Sequence, residues 1–303
     1  MDETYCKYVG SYALLKSATH KSPNPVSDFS GLNPSWYSNI YSGCILHVCP
    51  QAIPDFVKIL PKINVPFKLL TNNSDSTIPD DYKESQQILE HPLLIKWFAQ
   101  NCIGNHEKLV KIPIGLDYHS MRPSKKRNIW DPPKKHKYGW GYESYATQQE
   151  SDIISFNKTP FWNRKVKAYA NFQYALKTAF GEKRYVQDRR DAMKIPSELV
   201  DYEQTWVYRN VCWEHMSRYA FVISPQGNGL DCHRTWEVLC LGSIPIVKTS
   251  GLNSLFDDLP VWIVGDWSEV TEENMIKKIE EFKTKIFNYE KLTLAYWRNI
   301  LAQ

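Results

Sequence analysis

No stretch of this 303-residue chain comes near the ~18 consecutive uncharged apolar residues that a membrane span requires. The start carries Asp2, Glu3 and Lys7 where a secretory leader would have an apolar run. Together these absences lead us to expect no membrane span and a cytoplasmic location. The seven cysteines (Cys6, Cys44, Cys49, Cys102, Cys212, Cys232, Cys240) are odd in number and scattered, so no disulfide framework is written into their spacing and reduced thiols are expected. There is no internal repeat. Charge of one sign is barely in excess, with 37 Lys and Arg against 33 Asp and Glu; a net +4 permits an anionic ligand and does not demand nucleic acid.

What is present describes a folded protein. Hydrophobic residues make up 43% and charged residues 23%, close to the globular average, which excludes wholesale disorder and fibrous repeats. The length suits two domains, because single cores stop growing near ~250 to 300 residues. Aromatic residues are in excess at 14%, with 11 Trp and 18 Tyr, more than a core of this size needs.

From Cys44 onward short apolar runs alternate with helical patterns. Cys44–Val48 reads as a strand, Pro54–Leu60 as a helix opened by proline, and Phe67–Leu70 as a strand ending in the polar cluster Thr71–Asp75. Ile88–Ala99 reads as a helix, and Leu109–Ile114 as a strand ending at Gly115. Residues 122–162 change character: Pro123, Pro132 and Pro133 interrupt them, and Lys125, Lys126, Arg127, Lys134, Lys135 and Lys137 crowd together. This segment reads as a connector with one helix at Thr147–Phe156. A solvated connector is favoured over a polyanion seat, since the aromatic platforms of single-strand nucleic-acid binders are absent. Alternation then resumes, with strands at Val166–Tyr169, Ala220–Ser224, Ser243–Lys248 and Val261–Val264 and helices at Asn171–Phe180, ending at Gly181, and Cys232–Leu241, ending at Gly242. Two amphipathic helices, Glu272–Phe287 and Tyr289–Leu301, close the chain. Repeated strand–helix order predicts parallel sheets. The expected division is 1–121, a connector 122–162, a second domain 163–285, and a terminal helix 286–303.

The segment Phe221–Glu237 concentrates the chemistry. A buried strand is followed by Ser224-Pro225-Gln226-Gly227-Asn228-Gly229, whose glycines let backbone approach a ligand, then by Asp231, suited to cap a helix, and by a helix start bearing His233 and Arg234. A helix N-terminus with an arginine in its first turn is an anion seat that fits a diphosphate. Glu237, one turn deeper on the same face, can accept hydrogen bonds from vicinal hydroxyls. The competing reading makes the same residues an ordinary loop, a cap and a solvated ion pair.

This stretch through Val247, with Leu259–Trp267, resembles the carboxyl-terminal donor domain of exostosin-like glycosyltransferases: a Ser-Pro-x-Gly-x-Gly loop, an Arg-x-x-Glu helix, a Gly-x-Ile-Pro-Ile-Val strand and a later Asp-Trp. Trp97–Cys102 with Pro113–His119 is similar to the exostosin-like proteins of large algal viruses and some bacteria. The resemblance implies a GT-B enzyme: two Rossmann-like domains facing across a cleft, the nucleotide sugar on the second domain, the acceptor on the first, and a terminal helix returning to the first. It implies a nucleotide-sugar donor, first of all UDP-linked, with UDP-xylose the first guess, and a glycan acceptor, in a monomer or homodimer with no nucleic acid and no cofactor.

Of sixteen Asp, no two stand two apart, so the Asp-x-Asp pair that chelates a divalent ion in metal-dependent sugar transferases is missing. A metal-free site would offset leaving-group charge with the helix dipole and Arg234, with Arg189 and Arg190 as further candidates. Inverting transfer needs a base near the acceptor hydroxyl. Ligands of open α/β sheets sit beyond the carboxyl ends of strands, which points to Asp75, after the second strand, as base, with Asp117 and His119 as alternatives. Cys44, His47 and Cys49 sit at alternate strand faces without a second ligand pair, a poor metal pattern. Trp130, Trp140, Tyr142, Tyr145 and Trp162 have no element to serve and could stack on a sugar acceptor. The principal alternative is a nucleotide-sugar- or glycan-binding protein without catalysis.

Overall fold

The computed structural model describes residues 3–22, 32–118, 146–174, 176–178, 181–182, 184–205 and 207–303. The basic cluster at 125–137, His119, Trp130, Trp140, Tyr142 and Tyr145 lie outside them.

The first unit carries α1 (Ser11–Lys16) and a four-stranded sheet of β1 (Cys44–His47), β2 (Phe67–Thr71), β3 (Leu94–Ala99) and β4 (Leu109–Lys111). The strands are parallel and lie in chain order, with α2 (Ile53–Ile59) and α3 (Ser85–Leu89) in the first two connections. β1 and β2 are buried along their whole length, as strands covered on both faces must be.

Two departures from the sequence reading lie here. Ile88–Ala99 is not one helix: α3 stops at Leu89, ahead of His91-Pro92, and Leu94–Ala99 is β3, a central strand. Trp97 and Phe98 sit in different core clusters, on opposite faces of the sheet, so this apolar run has strand period. β4 ends at Lys111, short of Ile114, because Pro113 has no N–H for a ladder and the Ile114 N–H is given to Asp231.

After α4 (Ala146–Phe156) the second unit forms a five-stranded parallel sheet of β5 (Lys165–Ala170), β8 (Val200–Tyr202), β9 (Tyr219–Ile223), β10 (Ile244–Lys248) and β11 (Trp262–Val264). The described residues of 171–180 hold no helix. The chain leaves β5 as a loop and makes a small antiparallel hairpin of β6 (Lys177–Thr178) and β7 (Gly181–Glu182), so Gly181 opens a return strand rather than ending a helix. The helix comes later, as α5 (Val186–Ala192), and carries Arg189 and Arg190. α6 (Arg209–Met216) precedes β9, α7 (His233–Cys240) follows it, and α8 (Glu272–Thr284) and α9 (Leu294–Ala302) end the chain.

The strand order β11-β10-β9-β5-β8 places the point where the winding reverses between β5 and β9, and the crevice beyond those carboxyl ends is where such sheets bind ligands. α9 packs on α1, and Lys68 of β2 donates to the last carbonyls of α9, Leu301 O at 3.0 Å and Ala302 O at 2.6 Å. Two Rossmann-like parallel units across a cleft, with the terminal helix returned to the first, form the GT-B arrangement. No helix among the described residues is long and apolar enough to cross a membrane.

Candidate functional site

A cleft of about 390 Å³ opens between the units, within the range of small-molecule sites, roughly 300 to 1,000 Å³. One wall is the β9–α7 loop with Gly227, Asn228 and Gly229; facing it are Asp75, beyond β2, and Asp117, beyond β4. Asp75 is exposed and Asp117 half-buried. The geometry brings both carboxylates to the cleft and does not choose between them.

The donor-side loop is held from behind. The Ser224 hydroxyl bonds Thr235 Oγ1 at 2.9 Å, tying loop to helix, so Ser224 does not face the cleft as a donor contact. Arg189 is 7% exposed and spends Nε on Gln226 O and Nη1 on Gln173 O, both at 2.9 Å; it buttresses the loop. Burial, and then neighbouring Arg234, lower its pKa. A Cβ at Gly227 would come within 3.2 Å of Arg189 Nη2, which is what glycine allows there.

Asp231 does not cap α7. The N-cap is Cys232, whose side chain makes no cap bond, while Asp231 is buried and its carboxylate accepts from Ile114 N at 2.7 Å and from Trp236 Nε1 at 2.9 and 3.0 Å. Burial pushes its pKa up to about 7, against the pull of those N–H donors. Asp231 therefore joins the units while lining the cleft. His233 likewise reaches across the boundary while lining the cleft: its Nδ1 lies 2.7 Å from Gly115 O, and because a carbonyl only accepts, Nδ1 is the donor in this contact.

Two arginines remain. Arg234, in the first turn of α7, donates through Nε to Asn171 O at 3.3 Å and lies 5.8 Å from the Phe172 ring centroid. Arg209 opens α6, is 4% exposed, stacks 4.9 Å over the Trp213 ring and forms an ion pair with Glu237 through Nη2. The Nη1 atoms of both are buried and find no hydrogen-bond partner among the described residues, yet both side chains line the cleft. Buried guanidinium donors without protein partners are costly, and ordered water, an anion or an oxygen-rich ligand can satisfy them.

Glu237 lines the cleft with both oxygens engaged, one by Arg209 and the other by Trp213 Nε1 at 3.1 Å. Burial alone would raise its pKa; the Arg209 charge and the two donors bring it below the usual value. It remains a carboxylate and keeps lone pairs for a hydroxyl. It does not pair with Arg234, so the solvated-pair alternative fails.

Sequence reasoning missed Arg209 and Asn101. Arg209 sits in an eight-residue helix, α6, that the periodicity does not announce. Asn101 lies inside the Trp97–Cys102 motif without a role there, yet bonds both units. Trp162 is 40% exposed and lies edge-on to Phe161, in a separate hollow of about 300 Å³ with Tyr8 and Tyr289 rather than in the cleft. Among the described residues no three His, Cys, Asp or Glu side chains gather as a metal site, Cys44, His47 and Cys49 included.

No protein-family model and no curated protein matches the chain. Among solved structures, an E. coli trehalose-6-phosphate protein bound with UDP-2-fluoro glucose is similar at 11% identity and TM-score 0.40, over 87% of this chain and 74% of that one. An alpha,alpha-trehalose-phosphate synthase (UDP-forming) from Burkholderia vietnamiensis follows at 8% identity and TM-score 0.38, over 85% of this chain and 66% of that one. At such identities and scores these likenesses carry no inference about chemistry, and the two-unit architecture rests on the parallel sheets themselves.

Proposed function

We propose that the protein is an inverting glycosyltransferase that moves a sugar from a nucleotide-sugar donor to a hydroxyl of a glycan acceptor. The observation that carries the reading is a pair of buried guanidinium nitrogens, Nη1 of Arg209 and of Arg234, without a hydrogen-bond partner among the described residues, on side chains that line a cleft whose opposite wall presents Asp75. The donor diphosphate lies against Gly227–Gly229 and the first turn of α7, where helix dipole and Arg234 offset the charge that develops on the leaving group. Glu237, held by Arg209, takes the vicinal hydroxyls of ribose or sugar. Asp75 receives the acceptor proton as the acceptor oxygen attacks the anomeric carbon and the nucleoside diphosphate departs.

Independence from metal follows in this reading from the absent Asp-x-Asp and from the two arginines. UDP is the first nucleotide to try and UDP-xylose the first donor. The exostosin-like resemblance supports the order of loop, helix and strand behind this assignment.

The test is a thermal-shift series with UDP, GDP and dTDP, each with EDTA or magnesium, followed by nucleoside diphosphate release over a panel of sugar donors and acceptors. Binding of one diphosphate raises the melting temperature by mass action, and the shift survives EDTA. A melting temperature indifferent to all three nucleotides would remove the donor assignment. Stabilisation without any release across the panel would instead favour a binding protein.

A further inference from the structure

The two units touch at a place that neither the donor seat nor the base accounts for. Asn101, just past β3, is fully buried at 0% exposure and stands at φ 51°, a left-handed backbone that asparagine tolerates better than most residues. Its carboxamide reaches in two directions. Nδ2 donates to the carbonyl of Ser74 at 2.9 Å, and Oδ1 accepts from the backbone N–H of Asp231 at 2.8 Å. Ser74 immediately precedes Asp75; Asp231 follows the glycine loop by two residues.

Two further contacts show how close the loops run. A Cβ on Gly229 would lie 2.7 Å from Asn101 Nδ2 and 3.2 Å from the Cα of Asp75, so the loops meet face to face where only glycine fits. Gln100 supplies a contrast. It donates to the same Ser74 carbonyl at 2.9 Å and accepts from Asn73 N at 2.7 Å, which holds the Asp75 loop to its own unit alone. Of these two neighbours, Asn101 carries a tie across. One side chain must donate on one side and accept on the other, and a carboxamide does so with two atoms in a fixed plane.

We infer that Asn101 is a positioning residue whose carboxamide sets the spacing between the Asp75 loop and the Gly227–Gly229 loop. Its consequence for turnover rests on the proposed function: a base on one loop and a sugar on the other react only at near-attack distance, and a shift of about 1 Å costs on the order of a hundredfold.

The experiment uses the full chain with Asn101→Gly, which keeps the left-handed backbone and removes both bonds, and Gln100→Ala as the intra-unit contrast. Amide hydrogen exchange is read without ligand, UDP affinity by calorimetry, and UDP release with UDP-xylose as the probe donor. Asn101→Gly is expected to speed exchange at Asp231 at least tenfold, leave UDP affinity within threefold and lower kcat at least tenfold with little change in KM; Gln100→Ala leaves Asp231 exchange unchanged.

Unaltered exchange at Asp231 in Asn101→Gly overturns the inference, and so does faster exchange with unaltered UDP release. If Asn101→Gly does not fold, Asn101→Asp decides: it retains the acceptor for Asp231 and loses the donor to Ser74, so it should protect the Asp231 amide and still lose turnover. Failure of the wild type to bind UDP rejects the donor assignment alone, because exchange at Asp231 judges the tie with no ligand present.

Discussion

At the scale of single residues, the assignment of roles makes separable predictions. Asp75→Asn keeps the side chain's shape and removes the base, so kcat is expected to fall about 10²- to 10⁴-fold, the usual contribution of a general base, with UDP affinity unchanged. If Asp117→Asn shows that loss instead, the base lies on the other loop. Arg234→Met removes a charge-assisted donor, worth about 1.5 to 3 kcal/mol, so UDP should bind roughly ten- to a hundredfold more weakly in calorimetry while the melting temperature of the free protein moves little. Arg209→Met behaves differently. It strands the buried Glu237 carboxylate, and breaking such a pair costs about 3 to 5 kcal/mol of stability.

Asp231 contributes a pH dependence whose sign is fixed by its environment. Its folded pKa of about 7 stands above the ordinary 3.8, so the folded protein holds this proton more tightly than the unfolded chain does. The stability it contributes is fully present below about pH 4, declines as pH rises toward 7 and is absent above. Asp231→Asn mimics the protonated acid, and its denaturation midpoint should lose less than the wild type's between about pH 4.5 and pH 7.5. Equal losses in the two proteins would show that Asp231 titrates normally. Arg234 and Glu237 are legible because they stand one turn apart in one short motif on α7, although the partners of each lie far off in the chain. Arg209 meets Glu237 across 28 positions and Asn101 meets Asp231 across 130, and no local pattern announces either.

At the scale of elements, period and punctuation locate most strands of the second unit to within a residue or two, because β9 and β10 are short apolar runs closed by polar or glycine residues. β3 reads as a helix because Trp97, Phe98 and Ala99 are apolar and buried on both faces, with no polar alternation to show, and its Leu-Ile-Lys-Trp-Phe-Ala text serves a helix equally well. The hairpin of β6 and β7 escapes notice because a glycine after an apolar pair signals a helix end and a turn alike. The glycine loop, by contrast, is legible and divides into two functions that substitution can separate. In Gly227→Ala the added methyl presses on Arg189, behind the nucleotide, and UDP binding is expected to weaken. In Gly229→Ala it presses on Asn101 and the Asp75 backbone, across the cleft, and kcat is expected to fall with UDP affinity within a few fold. The same ratio of kcat to affinity loss in the two variants would contradict that division.

At the scale of the whole molecule, the length suggests two domains, and two sheets exist, yet their inner faces share one core. A single apolar cluster takes Ile45, Leu70 and Phe98 from the first sheet, Tyr169, Val222 and Val247 from the second, and Trp213, Trp236 and Trp297 from α6, α7 and α9. The outer face of each sheet has its own cluster, with Leu46, Leu69 and Trp97 in one and Phe221, Ile223 and Ile246 in the other. Strand alternation thus sends neighbours such as Ile45 and Leu46, Leu70 and Leu69, or Val222 and Ile223 to the common core and a private one respectively. Two units that bury apolar surface jointly cannot unfold independently without exposing it, at about 25 cal/mol per Å². Calorimetry is therefore expected to show one transition with equal calorimetric and van't Hoff enthalpies. Trp213→Ala, at a side chain that is 0% exposed and central to the shared cluster, should cost about 3 to 5 kcal/mol and shift that single transition as a whole. Two resolved transitions, with only the upper or the lower one moved by Trp213→Ala, would mean that the shared cluster does not couple the sheets. In that case the cleft would be set by polar ties between the units, among them those of Asn101, Asp231 and His233, of Lys111 with Gly251 and of Arg184 with Asp81.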